Sequence, residues 1–239
     1  MRKNSQIIGE LHMRELMQDI PKNFPSQHAR RFADYLDQMR LKRILHMAIL
    51  RLDKEAARAL DVGCGNGALS QVLSQACQTV GVDVEKARLS KNRNENLDFL
   101  IGNIIDLPFN KGSFDLIVCA SVLEHMLDLD LALTQLKRIM KTGGILIAGY
   151  PVETHFFKML WRFASPREFK AIDQTQTFFV DPVTMNVEDY WKHPATHKQT
   201  YLTVREALNR HFRLIQRVKL PFRFLPDFAA YYECSELIS

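Results

Sequence analysis

Residues Ala59-Leu60-Asp61-Val62-Gly63-Cys64-Gly65-Asn66-Gly67-Ala68-Leu69-Ser70 read as a short apolar strand, a glycine-rich turn and the opening of a helix. An acid, Asp61, stands two positions before the first glycine, and a second apolar run, Thr79–Val84, carries Asp83 twenty positions after Gly63. Glycines let a backbone turn tightly and approach a ligand closely. A carboxylate at the end of the next strand suits a ribose diol, because it accepts from both hydroxyls. Together these features predict a nucleoside-cofactor site at the mouth of a parallel sheet.

Two cofactors compete for such a turn. The dinucleotide fingerprint is Gly-x-Gly-x-x-Gly, whereas the spacing here is Gly63-x-Gly65-x-Gly67. Pyrophosphate favours a bare helix N-terminus with no carboxylate nearby, so Asp61 is out of place for it. Asp61 suits a ligand that carries an ammonium and a sulfonium, which points to S-adenosylmethionine.

The sequence beyond the turn weighs the same way. Asp61-Val-Gly-Cys-Gly-Asn-Gly, Gly81-Val-Asp83, Asn103-Ile-Ile-Asp106-Leu-Pro-Phe109, Gly112-Ser-Phe114-Asp115-Leu-Ile-Val118, Val122-Leu-Glu124-His125 and Leu136-Lys-Arg-Ile-Met-Lys141-Thr-Gly143-Gly144 follow in that order. Over roughly residues 56–150 the chain resembles the class I S-adenosylmethionine-dependent methyltransferases, in particular the small-molecule type that includes the ubiquinone-biosynthesis methyltransferases. The resemblance implies an α/β, Rossmann-like three-layer sandwich. Its seven-stranded sheet is mostly parallel and is completed by a C-terminal antiparallel hairpin. The implied cofactor is S-adenosyl-L-methionine, leaving as S-adenosyl-L-homocysteine.

Carried over residue by residue, the resemblance gives a cofactor shell. Gly63, Cys64, Gly65 and Gly67 let the backbone approach the methionine portion, and Asp61 orders the amino-group region. Asp83 is the ribose acceptor and Val84 lines the adenine. Asn103 stands where many relatives carry Asp; its amide oxygen can make the same bond to the exocyclic amine, with the Ile104 N–H meeting a ring nitrogen. The backbone at Ala120 passes the methionine group. His125 is the candidate catalytic residue, since a histidine titrates near neutral pH and can take a hydroxyl's proton. A Glu-His pair also occurs in relatives as a structural signature of the loop after strand four. His155, Phe156, Phe157, Trp161 and Tyr201 are expected to line the acceptor site. His193-Pro-Ala-Thr-His197 is not a helical zinc pair, because a proline interrupts it, and no metal is expected.

Strand and helix signals alternate from 57 to 149, which implies right-handed crossovers and a parallel sheet. Strands are expected at 57–62, 79–83, 97–102, 114–120 and 145–149, with helices at 67–77, near 85–91 and at about 129–140. Gly143-Gly144 is expected to close the last helix. Residues 27–53 carry a helical stripe that includes Phe32, Leu36, Ile44, Leu45 and Ala48, with a weaker amphipathic segment at 7–20. After the core comes an irregular aromatic-rich stretch, then a helix at 203–211 and strands at 212–220 and 229–237 around a turn holding Pro221 and Pro226. The expected division is a helical cap at 1–53, the cofactor core at 54–150, a specificity insertion at 151–202 and a closing helix and hairpin at 203–239. A long loop inside a compact domain is usually functional.

A 46% hydrophobic and 25% charged composition is that of a soluble globular chain. No apolar run approaches the ~20 residues that span a bilayer, and no apolar signal core follows the N-terminus. Cys64, Cys77, Cys119 and Cys234 lack paired spacing, so a reduced, cytoplasmic protein is expected. The net charge of +5 fits a solvated basic surface. The absence of a basic stripe interleaved with aromatics argues against nucleic acid and for a small-molecule acceptor. Phe156–Phe163 is amphipathic and basic; it reads as a lid, or as peripheral contact with a membrane surface. The alternative functions are a methyltransferase of RNA or another macromolecule, and an inactive cofactor-binding partner protein. The sequence leaves the oligomeric state open.

Overall fold

The structure, a computed structural model, describes residues 31–52, 57–85, 95–152, 197–220, 227, 230 and 232–239, with the side chains of 31–37 excepted. The helix near 85–91, the segment at 7–20, the hairpin turn with Pro221 and Pro226, and most of the 151–202 insertion lie outside the described residues.

In chain order the elements are α1 (Arg31–Ile49), β1 (Arg58–Val62), α2 (Ala68–Leu73), β2 (Gln78–Asp83), β3 (Leu97–Ile101) and β4 (Phe114–Ala120). A single 3₁₀ turn (Leu123–His125) follows, then α3 (Leu129–Ile139), β5 (Met140–Pro151), α4 (Tyr201–His211), β6 (Arg213–Leu220) and β7 (Tyr232–Ile238). The seven strands form one sheet in the order β3-β2-β1-β4-β5-β7-β6. The first five run parallel, and β7 pairs antiparallel with both β5 and β6. The expected seven-stranded mixed sheet is therefore present.

Side-chain alternation builds the three layers. Leu60, Val62, Ile117, Cys119, Leu146 and Ala148 join one buried cluster with α3 and α4. Their strand neighbours Ala59, Leu116, Val118, Ile145 and Ile147 join a second cluster with α1 and α2. The central parallel strands β1, β4 and β5 are buried along most of their length on both faces because each face is covered, as parallel sheets require. Ile44, Leu45 and Ala48 of the predicted helical stripe are fully buried in the second cluster. A buried side chain the size of Ile44 or Leu45 contributes about 1.5–3 kcal/mol, so α1 packs beside the sheet as part of the core.

One local expectation is corrected. Gly143-Gly144 does not close α3: the helix ends at Ile139, its last turn carrying Lys137 and Arg138, and the strand begins at Met140. Phe114 pairs with Met140 and Leu116 with Ile145, so the extra residues of β5 bulge out between those pairs. Gly143 takes the bulge's positive φ of 74°. A Cβ on Gly144 would stand 2.8 Å from the Lys141 carbonyl oxygen. The two glycines serve a strand bulge instead of a helix end.

Candidate active site

The sheet order reverses between β1 and β4, whose shared carboxyl ends form the crevice where open α/β sheets place ligands. The turn after β1 enters it. Gly63, Gly65 and Gly67 have φ of 70°, 54° and 77°, the left-handed region that glycine enters without a Cβ penalty. The Gly63 and Cys64 N–H groups donate to the Val82 carbonyl, at 2.7 and 3.0 Å, which staples the turn to β2.

Asp83 ties the other end. Its Oδ2 accepts from the Gly65 N–H at 2.9 Å, and its Oδ1 accepts from the Glu85 N–H at 2.9 Å. Asp83 is 6% exposed. An ionised carboxylate offers about four acceptor positions, so two of them remain after these bonds. Val84, beside it, is exposed.

Asp61 is buried within β1, and the Ser70 hydroxyl of α2 donates to its Oδ2 at 2.6 Å. Burial pushes the Asp61 carboxyl up to about 6, the Ser70 bond pulls it down, and Asp83 pushes it up again. Gly81 makes room for this pair: a Cβ there would stand 2.7 Å from the Phe99 ring and 2.9 Å from Ser70 Oγ. Sequence reading missed Ser70, nine positions after Asp61. Burial raises the Cys64 thiol, with Asp61 and Asp83 adding to the effect, so Cys64 offers backbone and shape, not a nucleophile.

Gly63 and Gly65 differ. A Cβ at Gly63 would lie 2.2 Å from Val122 Cγ2, so that glycine lets the loop after β4 close on the turn. A Cβ at Gly65 would meet nothing within 4 Å; it faces open space. Asn103 is partly buried and its Oδ1 accepts from the Ile105 N–H at 3.3 Å, while the Ile104 side chain is buried.

Ala120 ends β4, and Ser121 follows with φ 57°, a left-handed serine. Ser121 Oγ accepts from Arg40 Nη1 at 2.9 Å and lies 3.0 Å from the Tyr232 hydroxyl. Arg40 also lies over the Tyr232 ring, 5.2 Å from its centroid. α1 is thus pinned to the ligand end of β4, a contact that sequence reading did not foresee.

Beyond Ser121, the 3₁₀ turn carries Glu124, buried, and His125, partly buried. The Lys198 and Gln199 N–H groups both donate to the Glu124 carbonyl, at 2.7 and 3.0 Å. Gln199 Nε2 donates to the Met126 carbonyl at 2.9 Å. These bonds bring His197 to His125, with ring centroids 5.0 Å apart and planes at 63°. One ligand atom from each of Glu124, His125 and His197 lies within 4.8 Å of the others. The sequence analysis weighed His197 only against His193, which lies outside the described residues, and rejected that pair; the neighbour of His197 in the structure is His125, 72 positions away. Burial lowers the Lys198 ammonium to about 8.

Of the expected acceptor-lining residues, His155, Phe156, Phe157 and Trp161 lie outside the described residues. Tyr201 opens α4, partly buried against the core, with the Arg205 guanidinium 5.2 Å from its ring centroid. No helix among the described residues is long and apolar enough to cross a membrane.

A methyltransferase domain family matches residues 60–148. The chain is 28% identical over 153 residues to the demethylmenaquinone methyltransferase of Lactococcus lactis, covering 59% of each chain. It is 36% identical over 102 residues to the ubiquinone biosynthesis O-methyltransferase of Xanthomonas oryzae, covering 39% of this chain and 43% of that one. The chain spans about half the length of these curated relatives. Its fold matches that of a Pyrococcus horikoshii protein, PH0226, with TM-score 0.58 at 16% identity over 94% of this chain and 98% of that one. It also matches an S-adenosylmethionine-dependent methyltransferase structure from Methanosarcina mazei, with TM-score 0.54 at 19% identity over 82% and 96%. Residues 60–148 thus match a methyltransferase domain family, and the sheet and glycine turn that carry them share the fold of S-adenosylmethionine-dependent methyltransferases.

Proposed function

We propose that this chain transfers the methyl group of S-adenosylmethionine to a small aromatic or apolar acceptor bearing a hydroxyl. The observation that carries the reading is the cradle itself: three left-handed glycines, with the Asp83 carboxylate bonded to the Gly65 N–H.

In this reading the two remaining acceptor positions of Asp83 take the ribose hydroxyls. The open face at Gly65 receives the methionine portion, with the Cys64 and Gly67 backbone around it and the Ala120 backbone opposite. Ionised Asp61 attracts the ammonium through the ordered turn, and Val84 covers the adenine. The second lone pair of Asn103 Oδ1 accepts from the adenine amine, and the Ile104 N–H meets a ring nitrogen. Held this way, the sulfonium needs little covalent help, because alignment of the nucleophile with the S–CH₃ bond supplies most of the rate gain. A hydroxyl acceptor must shed its proton as the methyl arrives; Glu124, His125 and His197 gather past the end of β4, on the side where that proton would leave. The similarity to an O-methyltransferase of ubiquinone biosynthesis favours a hydroxyl acceptor.

Incubation with methyl-tritiated cofactor and cell extract, followed by separation into organic-soluble, protein and RNA fractions, tests the proposal. Label is expected in the organic-soluble fraction. Label in RNA or protein instead would overturn the acceptor class. No labelled product from a protein that binds the cofactor would favour the inactive-partner alternative.

A further inference from the structure

We propose that Glu124, His125 and His197 form a three-ligand site for a divalent first-row transition metal, zinc fitting the donor set best, with an open position that takes the acceptor's hydroxyl oxygen. Only the metal's role in the reaction rests on the methyl-transfer reading; the site does not.

The donor set is two imidazoles and one carboxylate, whose ligand atoms lie within 4.8 Å of one another. Metal–ligand bonds of about 2.0–2.2 Å in tetrahedral geometry set such atoms about 3.3–3.5 Å apart, so side-chain rotations of ~1.5 Å or less complete the site. Imidazole suits zinc, whereas all-oxygen sets suit magnesium or calcium. Three protein ligands and a vacant fourth position are the arrangement of reactive, as opposed to purely structural, zinc sites.

The cluster is also held together by the backbone. Two N–H groups of the 197–199 segment bind the Glu124 carbonyl, and the Gln199 side chain binds the Met126 carbonyl. The residue before Leu123, Val122, contacts the glycine turn at Gly63. The site therefore sits on the loop that closes the cofactor crevice.

A hydroxyl bound to such a cation becomes far more acidic. Its proton passes to bulk buffer. An oxygen lone pair then forms the O–CH₃ bond as the S–CH₃ bond breaks, and that bond's electron pair stays on sulfur, turning the sulfonium into a neutral thioether. His125 serves here as a ligand in place of the proton acceptor expected from sequence.

The full-length protein, stripped of metal with chelator, is titrated with Co²⁺ and then with Zn²⁺. One equivalent of Co²⁺ should give visible d–d bands that Zn²⁺ abolishes and that acetohydroxamate, an oxygen-donor probe, shifts. His197→Ala, whose ring is only partly buried, should keep the native circular dichroism. It should weaken Zn²⁺ binding by more than the ~10–100-fold that loss of an outer-shell partner costs; Glu124→Gln should do likewise. Absence of bands, or bands unchanged in His197→Ala, overturns the site. Bands that acetohydroxamate does not move overturn the open position. Calorimetry of S-adenosylmethionine with the same metal-free protein is independent: failure there removes the methyl-transfer reading and leaves the metal result standing.

Discussion

The Gly65 N–H donates to the Asp83 carboxylate at 2.9 Å, joining the turn after β1 to the end of β2 across 18 positions of sequence. The bond is made between protein groups alone and fixes the shape of the turn.

Asp61 couples cofactor binding to pH. Burial raises its carboxyl from the ordinary 3.8 to about 6, so between those values the folded protein holds more protons than the unfolded chain. Stability contributed by the protonated form is present below pH 4 and is lost as pH rises through about 6, a cost of about 3 kcal/mol at pH 7. A cationic ligand favours the ionised form, so affinity should climb from pH 5 to pH 7 with proton release on binding. Calorimetry in buffers of different ionisation enthalpy reads that release. Asp61→Asn should raise the ligand-free Tm at pH 8 but not at pH 4, while weakening the cofactor. A gain independent of pH would contradict the assignment.

Gly63 and Gly65 should fail differently. Gly63→Ala drives a methyl into Val122 at a positive φ and should destabilise the fold by roughly 2–4 kcal/mol, combining overpacking with backbone strain. Val122→Ala should restore part of that loss in a double-mutant cycle. Gly65→Ala meets no atom and should cost only about 1 kcal/mol, yet it should lose cofactor-induced thermal stabilisation. Equal Tm losses in the two variants would show that the distinction between packing and ligand space is wrong.

The β1–β2 half of this site was legible because its information is local. A left-handed turn demands glycine, and a strand end fixes the acid, so Gly63, Gly65, Gly67 and Asp83 could be named from spacing. The alternating runs likewise announced the sheet. Long-range partners were illegible. Nothing near Ser121 signals Arg40, 81 residues away, and nothing near His125 signals His197. Gly143-Gly144 misled because a glycine pair after a helix serves a C-cap and a strand bulge equally well; only the pairing of β4 with β5 decides.

The hairpin depends on a buried charge. Glu233 is fully buried, accepts from Tyr150, and pairs with Arg205 at 2.5 Å and Arg217 at 2.9 Å. Removing one partner of a buried pair costs about 3–5 kcal/mol. Because Arg217 and Tyr150 remain, Arg205→Ala should fall near 3 kcal/mol in urea unfolding, and Glu233→Gln together with Arg205→Met should recover much of it. A loss under 1 kcal/mol for Arg205→Ala would mean the remaining partners suffice.

Calorimetric titration of S-adenosylmethionine into the wild-type chain and into Asp83→Ala tests the central claim most directly. The account predicts one site in the wild type. The variant should lose about 1.5–3 kcal/mol of binding, the range for hydrogen bonds to a charged group, plus whatever the released turn adds. Wild-type protein that binds no cofactor, or an Asp83→Ala variant with undiminished affinity, would contradict it.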